Sequence, residues 1–585
     1  MRNALVIAAL ASLLAACGGG GGGGSGASAS APATPPALAP AAATSDVLSP
    51  TVIAFQPDTT QRVPRTTGLS ATFNEALKAD TVTDANLRLT HAGTAVPGTV
   101  AYDTANFNVT FTPQRALDLL ASYTVTVGTG ITDLAGNGLT AEKTWGFNTQ
   151  DGTWQAARRL DAATATSVHP DVAVDGTGKT AFAWSNQATS GWYEIRSVIR
   201  ANGNWGSVET VSLPGTYHAF FPKVRFDAQG NGLAVWTQGN SLPGASLWSA
   251  RYVQGQGWQA PVAVDANLAD MQEASLGMDA AGNAVVAWVK PIGPGLTGNN
   301  DAFAARFTPA GGWEAPVRLG TAANIGTYDQ ATLPNVALDA AGNAYVLWVQ
   351  NASDNPVWFA RYEAGSGWQP AMNVGAARLG DPFAPRLALS STGQIVAVWN
   401  SFVYAGGPYR FDLWSSVLAT PAGTWSAPAL LETDDAGNAM NQQVAADSAG
   451  SVHVVWQQFA TEFKSDLLHR QYTPGTGWSA AATISEANGA FDNNRSPKLV
   501  ADRNGNLMAL WGVYASGFGG TQEGTFARRS IAGEGWQPVV RVDQAGGTPA
   551  LATALAVGTD GAIAAGWMQP DAFRSDGQVW VNVLE

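Results

Sequence analysis

Residues 334–348 read Pro334-Asn335-Val336-Ala337-Leu338-Asp339-Ala340-Ala341-Gly342-Asn343-Ala344-Tyr345-Val346-Leu347-Trp348. Two apolar runs flank Asp-x-x-Gly-Asn, and the second run reaches a tryptophan. Short apolar runs bounded by such a cluster predict two strands. Glycine supplies the positive φ of a tight turn, so the pair predicts a short antiparallel hairpin.

The pattern recurs to the end of the chain. Its turn appears as Asp227…Gly230-Asn231, Asp279…Gly282-Asn283 and Asp502…Gly505-Asn506. Variants occur at Asp175…Gly178, Ser390…Gly393, Asp447…Gly450 and Gly558…Gly561. One tryptophan series follows a second tight turn: Trp154, Trp205, Trp258, Trp313, Trp368, Trp425, Trp478 and Trp536. The other marks the apolar strand: Trp184, Trp236, Trp288, Trp348, Trp399, Trp456, Trp511 and Trp567. Both series step by 51 to 60 residues, which makes eight copies of one unit over residues 151–585. In the fourth copy four strands are expected, at 313–319, 335–339, 344–348 and 357–362. Four strands in about 40–55 residues is the arithmetic of a propeller blade. The expected fold is all-β, with an eight-bladed β-propeller; a seven-bladed ring with one unit packed apart is the rival. Residues 154–160 are expected to complete the last blade as its outer strand, since closure removes free sheet edges.

The string Pro-x-Val-Ala-x-Asp-x-x-Gly-Asn-x-x-x-x-Trp resembles NHL-type and sialidase-like propeller repeats, in architecture only. The sialidase Ser-x-Asp-x-Gly-x-Thr-Trp box does not occur in this sequence. Residues 50–150 carry short alternating strands at 69–73, 108–111 and 123–127, with the turn Asp133-Leu134-Ala135-Gly136-Asn137. With Pro57, Phe73, Thr81-Val82-Thr83, Pro113, Tyr123 and Phe147, the region resembles the bacterial Ig-like domain of S-layer and other surface proteins. That resemblance implies a β-sandwich acting as a spacer or adhesive module. Asp133 reads as a turn residue; calcium takes about six to eight oxygens, and one carboxylate is far from that set.

At the other end, Met1 and Arg2 precede 13 residues without formal charge, Ala4 to Ala16. A spanning helix needs about 20, so residues 1–17 read as a signal peptide. Leu14-Ala15-Ala16-Cys17 resembles the lipobox of bacterial lipoproteins, which implies that Cys17 becomes the acylated N-terminus. Gly18, in place of Asp, resembles an outer-membrane sorting signal. The expected location is the cell envelope, as an outer-membrane lipoprotein facing the periplasm or the surface. Residues 18–49, opening on Gly18 to Gly24, have nothing to bury and read as a disordered tether.

Composition narrows the function. The 585 residues are 45% apolar and 13% charged, with a formal charge of −13. This lacks the basic footprint of nucleic-acid binding. A single cysteine excludes a disulfide framework and multi-cysteine metal sites. Gly176-Thr177-Gly178-Lys179-Thr180 looks like the tail of a phosphate loop, but Ala173 stands where its first glycine belongs, and the segment is a unit turn. The five histidines show no metal spacing, and His453 reads as a packed, hydrogen-bonded residue. Arg251, Arg306, Arg361 and Arg529 recur before the turn tryptophan and read as packing residues.

Loop parity points to one face. Connections in an up-and-down unit alternate between two faces. The Asp-x-x-Gly turn and the turn before each tryptophan share one, and both are short. The other two connections vary in length and share the opposite face, where function usually sits on a rigid scaffold. Tyr404, Tyr409, Arg410, Asp412, Arg495 and Arg574 are the candidate ligand residues there. No catalytic residue, cofactor or metal is assigned. The expected function is a surface binding or adhesion module for a glycan or protein, monomeric, held to the membrane by its N-terminal lipid. A glycan-active hydrolase or lyase at the propeller mouth, or a purely structural envelope protein, is the alternative. Changing Cys17 to Ala is expected to leave unprocessed precursor or to release the protein from membranes. Unchanged partitioning of that variant into detergent would refute lipid anchoring.

Overall fold

The computed structural model describes residues 46–585 except 162–165, 216, 240–243, 269–272, 293–299, 321–329, 352–356, 375–380, 404–409, 433–436, 462–463, 487–491, 516–522, 544–549, 551 and 571–576. The chain divides into Met1–Leu48 and Ser49–Glu585. Residues 1–17, read as a signal peptide ending at Cys17, and nearly all of residues 18–49, read as a tether, lie outside the described residues.

The first part of the second unit is a sandwich of two four-stranded antiparallel sheets. One has the order Val52–Gln56, Leu69–Phe73, Asn108–Pro113, Gly98–Asp103; the other has Thr94–Ala95, Leu87–His91, Ser122–Val127, Lys143–Asn148. Period-2 patterning dictates the faces: Leu69, Ala71 and Phe73 are buried, and Ser70 and Thr72 between them are not. Trp145 closes the core against the Phe55 ring, 4.8 Å away. Asp133 accepts from the backbone N–H and the Nδ2 of Asn137, both at 2.8 Å, so it ties the expected turn.

Eight four-stranded antiparallel units follow among the described residues. The fourth consists of Gln330–Leu338, Ala344–Asn351 and Val357–Glu363, with Gly367–Trp368 and Met372–Asn373 pairing along the outer side of the third strand. Its turn is clasped by side chains. Asp339 Oδ1 accepts from Ala341 N and Asn343 N at 3.0 and 2.8 Å, and Oδ2 from Asn343 Nδ2 at 2.7 Å. Gly342 has φ +80°, the left-handed conformation the turn requires.

Three details depart from the sequence reading. The second strand does not end at its tryptophan but runs three residues further, to Asn351. The fourth strand is broken in two: the run expected over 313–319 is Gly312–Trp313 and Val317–Arg318, with Pro316, which has no N–H, in the gap. The first strand begins earlier than expected and carries a bulge. In five units a non-glycine residue adopts positive φ there: His169, Phe221, Ala384, Asn441 and Ser496, from +47° to +57°. A bulge re-aims the residues that follow it.

Packing joins the units through the second strand. Ala344, Val346 and Trp348 face Val285, Ala287 and Val289 of the third unit. Tyr345, Leu347 and Val349, on the other side of the same strand, face Ile395, Ala397 and Trp399 of the fifth. A strand covered on both faces reads as one continuous apolar run. The same exchange links the last unit to the first: Trp184 and Phe182 pack with Ala564, Val579 and Val581. Arg158–Arg159 pairs with the last strand, Gly577–Leu584, and Trp154 bridges Leu584, as expected of residues 154–160. Arg200 adds a hydrogen bond to Glu585 at 2.8 Å. The first strands lie side by side in order, and the eighth returns to the first. This is a propeller-like arrangement.

The sandwich rests on the short turns of the seventh and eighth units. Leu119 N donates to Asp560 O at 2.8 Å, Asn504 Nδ2 donates to Leu119 O at 3.2 Å, and Arg65 pairs with Asp560 at 2.8 Å. Arg503 pairs with Asp118, and Leu119 joins a core with Met508, Leu510 and Trp567. The internal segments left undescribed all fall, by chain position, in the connections of the other kind. Replacing Trp348, 1% exposed, with alanine removes the contact between two units. We expect a loss of about 3–5 kcal/mol, measured by denaturant titration. A loss under about 1 kcal/mol would contradict the central place of this strand in the packing.

Candidate functional site

Of the six candidate ligand residues, Tyr404, Tyr409 and Arg574 lie outside the described residues. Arg410 and Asp412 open the third strand of the fifth unit, and the guanidinium binds the carboxylate at 2.5 Å. Arg495 belongs to a first strand, in the seventh unit, and its guanidinium lies 4.8 Å from the centre of the Tyr514 ring. The structure brings Arg410 and Asp412 together; Arg495 sits in a different unit and a different strand layer. The recurring arginines act as read: Arg306 lies over Tyr362 of the next unit at 5.2 Å, and Arg529 binds Asp502 at 2.9 Å. His453 is also packed and hydrogen-bonded, to Asp447 at 3.1 Å and to His469 at 3.0 Å. Burial lowers the His453 pKa, and burial, with His453 beside it, lowers that of His469 to about 3.

Two sets of residues were not among the six candidates, although the sequence places Tyr217 and His218 in the variable connections. One is an aromatic patch on the variable face between the first two units. Trp192, in the hairpin connection of the first unit, meets His218 edge-on at 4.8 Å, and His218 stacks on Phe220 at 5.6 Å. Tyr193 lies against Phe220 at 4.6 Å, and Tyr217 beside them is 45% exposed. Trp192 is one of the two tryptophans outside the repeat, along with Trp145, and that irregularity was its only signal.

The other is a cavity of about 300 Å³ lined by the first strands of all eight units. Each strand places one residue directly opposite the residue preceding the second-strand tryptophan. In the first four units these are Asp171, Lys223, Ser275 and Asn335. In the last four they are Arg386, Gln443, Lys498 and Ala554. In most units this is the residue after proline, the x of Pro-x-Val-Ala-x-Asp. It changes from unit to unit while its neighbours hold the pattern, and that was a readable signal.

The ring is chemically asymmetric. Asp171 accepts from Val224 N at 2.8 Å, Ser275 from Val336 N at 3.1 Å and Asn335 from Leu387 N at 2.9 Å. Each bridge runs to the residue after the ring position of the next unit. The carboxylates in the cavity are also tied: Asp171 to Arg225 at 2.9 Å, and Glu273 to Lys223 at 2.5 Å. Lys223 is the main reason that the Glu273 pKa falls to about 2. Arg386 and Lys498 have no carboxylate partner among the described residues. Burial, then Lys223 and Arg386, push the Lys498 pKa down to about 8. The lining carries four cations and two carboxylates, in a chain whose formal charge is −13.

Residues 46–149 match the family described as a bacterial Ig-like domain. No curated protein matches the chain in sequence. Among solved structures, the chain is similar to an α-L-arabinofuranosidase of Fusarium graminearum, with 11% identity, 67% of this chain and 98% of that one covered, and a TM-score of 0.38. It is similar to an ulvan lyase described as a polysaccharide lyase, with 12% identity, 74% and 95% coverage, and a TM-score of 0.37. A protein of unknown function from Dyadobacter fermentans shows 11% identity, 64% and 98% coverage, and a TM-score of 0.36. The first two are described as glycan-active enzymes. Changing Asp171 to Ala leaves Val224 N–H without its acceptor and Arg225 without its carboxylate. We expect about 1–3 kcal/mol of destabilisation by urea titration, and no shift in midpoint would show that the bridges contribute nothing.

Proposed function

We propose that the chain is an envelope lipoprotein that recognises a glycan with the variable face of a closed, eight-bladed β-propeller, and that the Ig-like domain is its spacer. The observation that carries the reading is the docking of the sandwich. Leu119, Arg65 and Asp118 hold it on the short turns of units seven and eight. The variable connections and the aromatic patch of Trp192, Tyr193 and His218 belong to the opposite face by strand parity. Aromatic rings with one polar edge suit the apolar face of a sugar and its hydroxyls. The cyclic order of first strands and the pairing of Arg158–Arg159 with the last strand support eight blades in one ring.

Glycan hydrolysis or elimination at the same mouth is the second reading, and the enzymes named above fit it better than they fit adhesion. At a TM-score below 0.4 their likeness does not decide the chemistry. The carboxylates of the cavity do not suit hydrolysis. Glycosidase chemistry needs one carboxyl with a raised pKa beside a second carboxylate. Asp171 and Glu273 are both held in ion pairs, and Glu273 is lowered to about 2. The test is to present the full chain with glycan and envelope-polymer arrays while measuring released reducing or unsaturated ends. Saturable binding without turnover, reduced at least tenfold by Trp192→Ala, is the expected result. Turnover that survives Trp192→Ala and is abolished by a single Asp→Asn change at the mouth would replace this reading with the second.

A further inference from the structure

We propose that the cavity on the axis is an oxyanion site, built by Arg386 and Lys498 with the backbone N–H groups of Val444 and Leu555, and that it takes a carboxylate or sulfate carried on a sugar-sized ligand. The proposal deepens the glycan reading and rests on it for the sugar, though not for the anion.

The bridging pattern around the ring is the starting point. Wherever the ring residue can accept a hydrogen bond on the first-unit side, it takes the N–H of the neighbouring strand: Asp171 to Val224, Ser275 to Val336, Asn335 to Leu387. Arginine and lysine have no acceptor. At Arg386 the corresponding donor is Val444 N, and at Lys498 it is Leu555 N; both residues line the cavity. The repeat therefore aims these donors, like Leu276 N beyond Lys223, into the cavity with no side chain of the preceding unit to receive them; Val444 N and Leu555 N are the two next to Arg386 and Lys498. Val444 and Leu555 are half-buried, and backbone donors turned from bulk water take acceptors. An anionic oxygen can serve donors and cations together, and hydrogen bonds to charged oxygens are the stronger kind.

Charge and size set the ligand class. On the first-unit side the carboxylates of Asp171 and Glu273 already neutralise Arg225 and Lys223. On the opposite side Arg386 and Lys498 form no ion pair among the described residues and feel Glu273 only at longer range, so one anionic group is the complement. A cavity of about 300 Å³ is at the small end for ligand sites and suits one sugar unit, not a chain. Lys498 faces Lys223, Arg386, Glu273 and Asp171, and its pKa of about 8 follows from burial and the two cations. An anion that binds the protonated amine must bind less well as pH rises through that value, and its binding raises the pKa in turn.

The experiment is calorimetric titration of the full chain in detergent with three probes: glucuronate, glucose and inorganic sulfate. Glucuronate is expected to bind where glucose does not. Its Kd is expected to rise about tenfold between pH 7 and pH 9, following the loss of the Lys498 charge, since one pH unit beyond a pKa changes the charged fraction tenfold. Lys498→Met and Arg386→Gln are each expected to weaken it at least tenfold, and Lys498→Met also to abolish the pH dependence. Because methionine fills the same space without a charge, this variant is expected to stay folded, which its melting curve checks. If a variant unfolds, the pH dependence of the unaltered protein remains the test. Glucose binding as tightly as glucuronate, with no effect of pH or of Lys498→Met, overturns the oxyanion site and leaves glycan recognition standing. Sulfate binding as tightly as glucuronate, with the same dependence on Lys498, keeps the oxyanion site and removes the sugar. No binding of any probe by the folded protein overturns the proposal.

Discussion

The second strand of every unit is apolar on both faces, and the rest of the structure follows from having to cover it. Tyr345, Leu347 and Val349 need a neighbour on one side; Ala344, Val346 and Trp348 need one on the other. Burial of apolar surface is the dominant favourable contribution to folding, so an open stack would leave two such faces wet. Cyclic packing leaves none. Trp184 of the first unit fills against Ala564 and Val581 of the eighth, as Trp348 does between its own neighbours. The pairing of residues 158–159 with the last strand ties the two ends of the repeat together with backbone hydrogen bonds. The Asp339 clasp serves the same end, because a turn held by three hydrogen bonds fixes the register that puts Trp348 against the third unit.

This constraint also explains where chemistry is permitted. The second strands cannot vary without losing the contact between units. The ring position of the first strand can, because its side chain reaches the cavity on the axis. Asp171, Asn335, Arg386 and Lys498 occupy equivalent places on one scaffold and do different things there. Asp171 and Asn335 bridge to a neighbouring backbone, whereas Arg386 and Lys498 face the cavity as cations without carboxylate partners among the described residues. A chain with a formal charge of −13 thus keeps a cationic half in its axial cavity. Low local dielectric makes each of those charges count for more than the same charge at the surface.

The Ig-like sandwich gives the arrangement a direction. Its Leu119 is inserted at the turns of the seventh and eighth units, with Arg65 on Asp560 and Arg503 on Asp118 beside it. Apolar insertion with flanking ion pairs, on short and regular turns, occupies the face that has least to offer a ligand. The sandwich thus sits on one face of the repeat array and leaves the variable face clear.

Much was legible in the sequence because the repeat states each rule eight times. The Asp-x-x-Gly-Asn turn and both tryptophan series are local patterns, and local patterns survive without knowledge of the fold; the closing role of residues 154–160 followed from the phase of the repeat, which leaves the last unit without its outer strand. The core role of Trp348 and the turn role of Asp133 were readable for the same reason. Strand ends were less so: the second strand runs past Trp348 because paired polar residues such as Gln350 extend a ladder as well as apolar ones, and no periodicity marks that. The candidate site was mostly hidden. Arg386 and Lys498 lie more than a hundred residues apart, and one strand in isolation gives no sign that its x residue meets seven others on an axis. Which lysine is paired depended on the neighbouring unit: Lys223 has Glu273 of the third unit beside it, whereas the first strand of the eighth unit, Ala552–Val557, carries no carboxylate for Lys498. The sequence by itself determined the repeat, its turns and its buried faces, because those depend on residues close in the chain. The tertiary structure alone decided which polar side chains converge and which are left without partners, because convergence is set by how the first strands of distant units pack side by side.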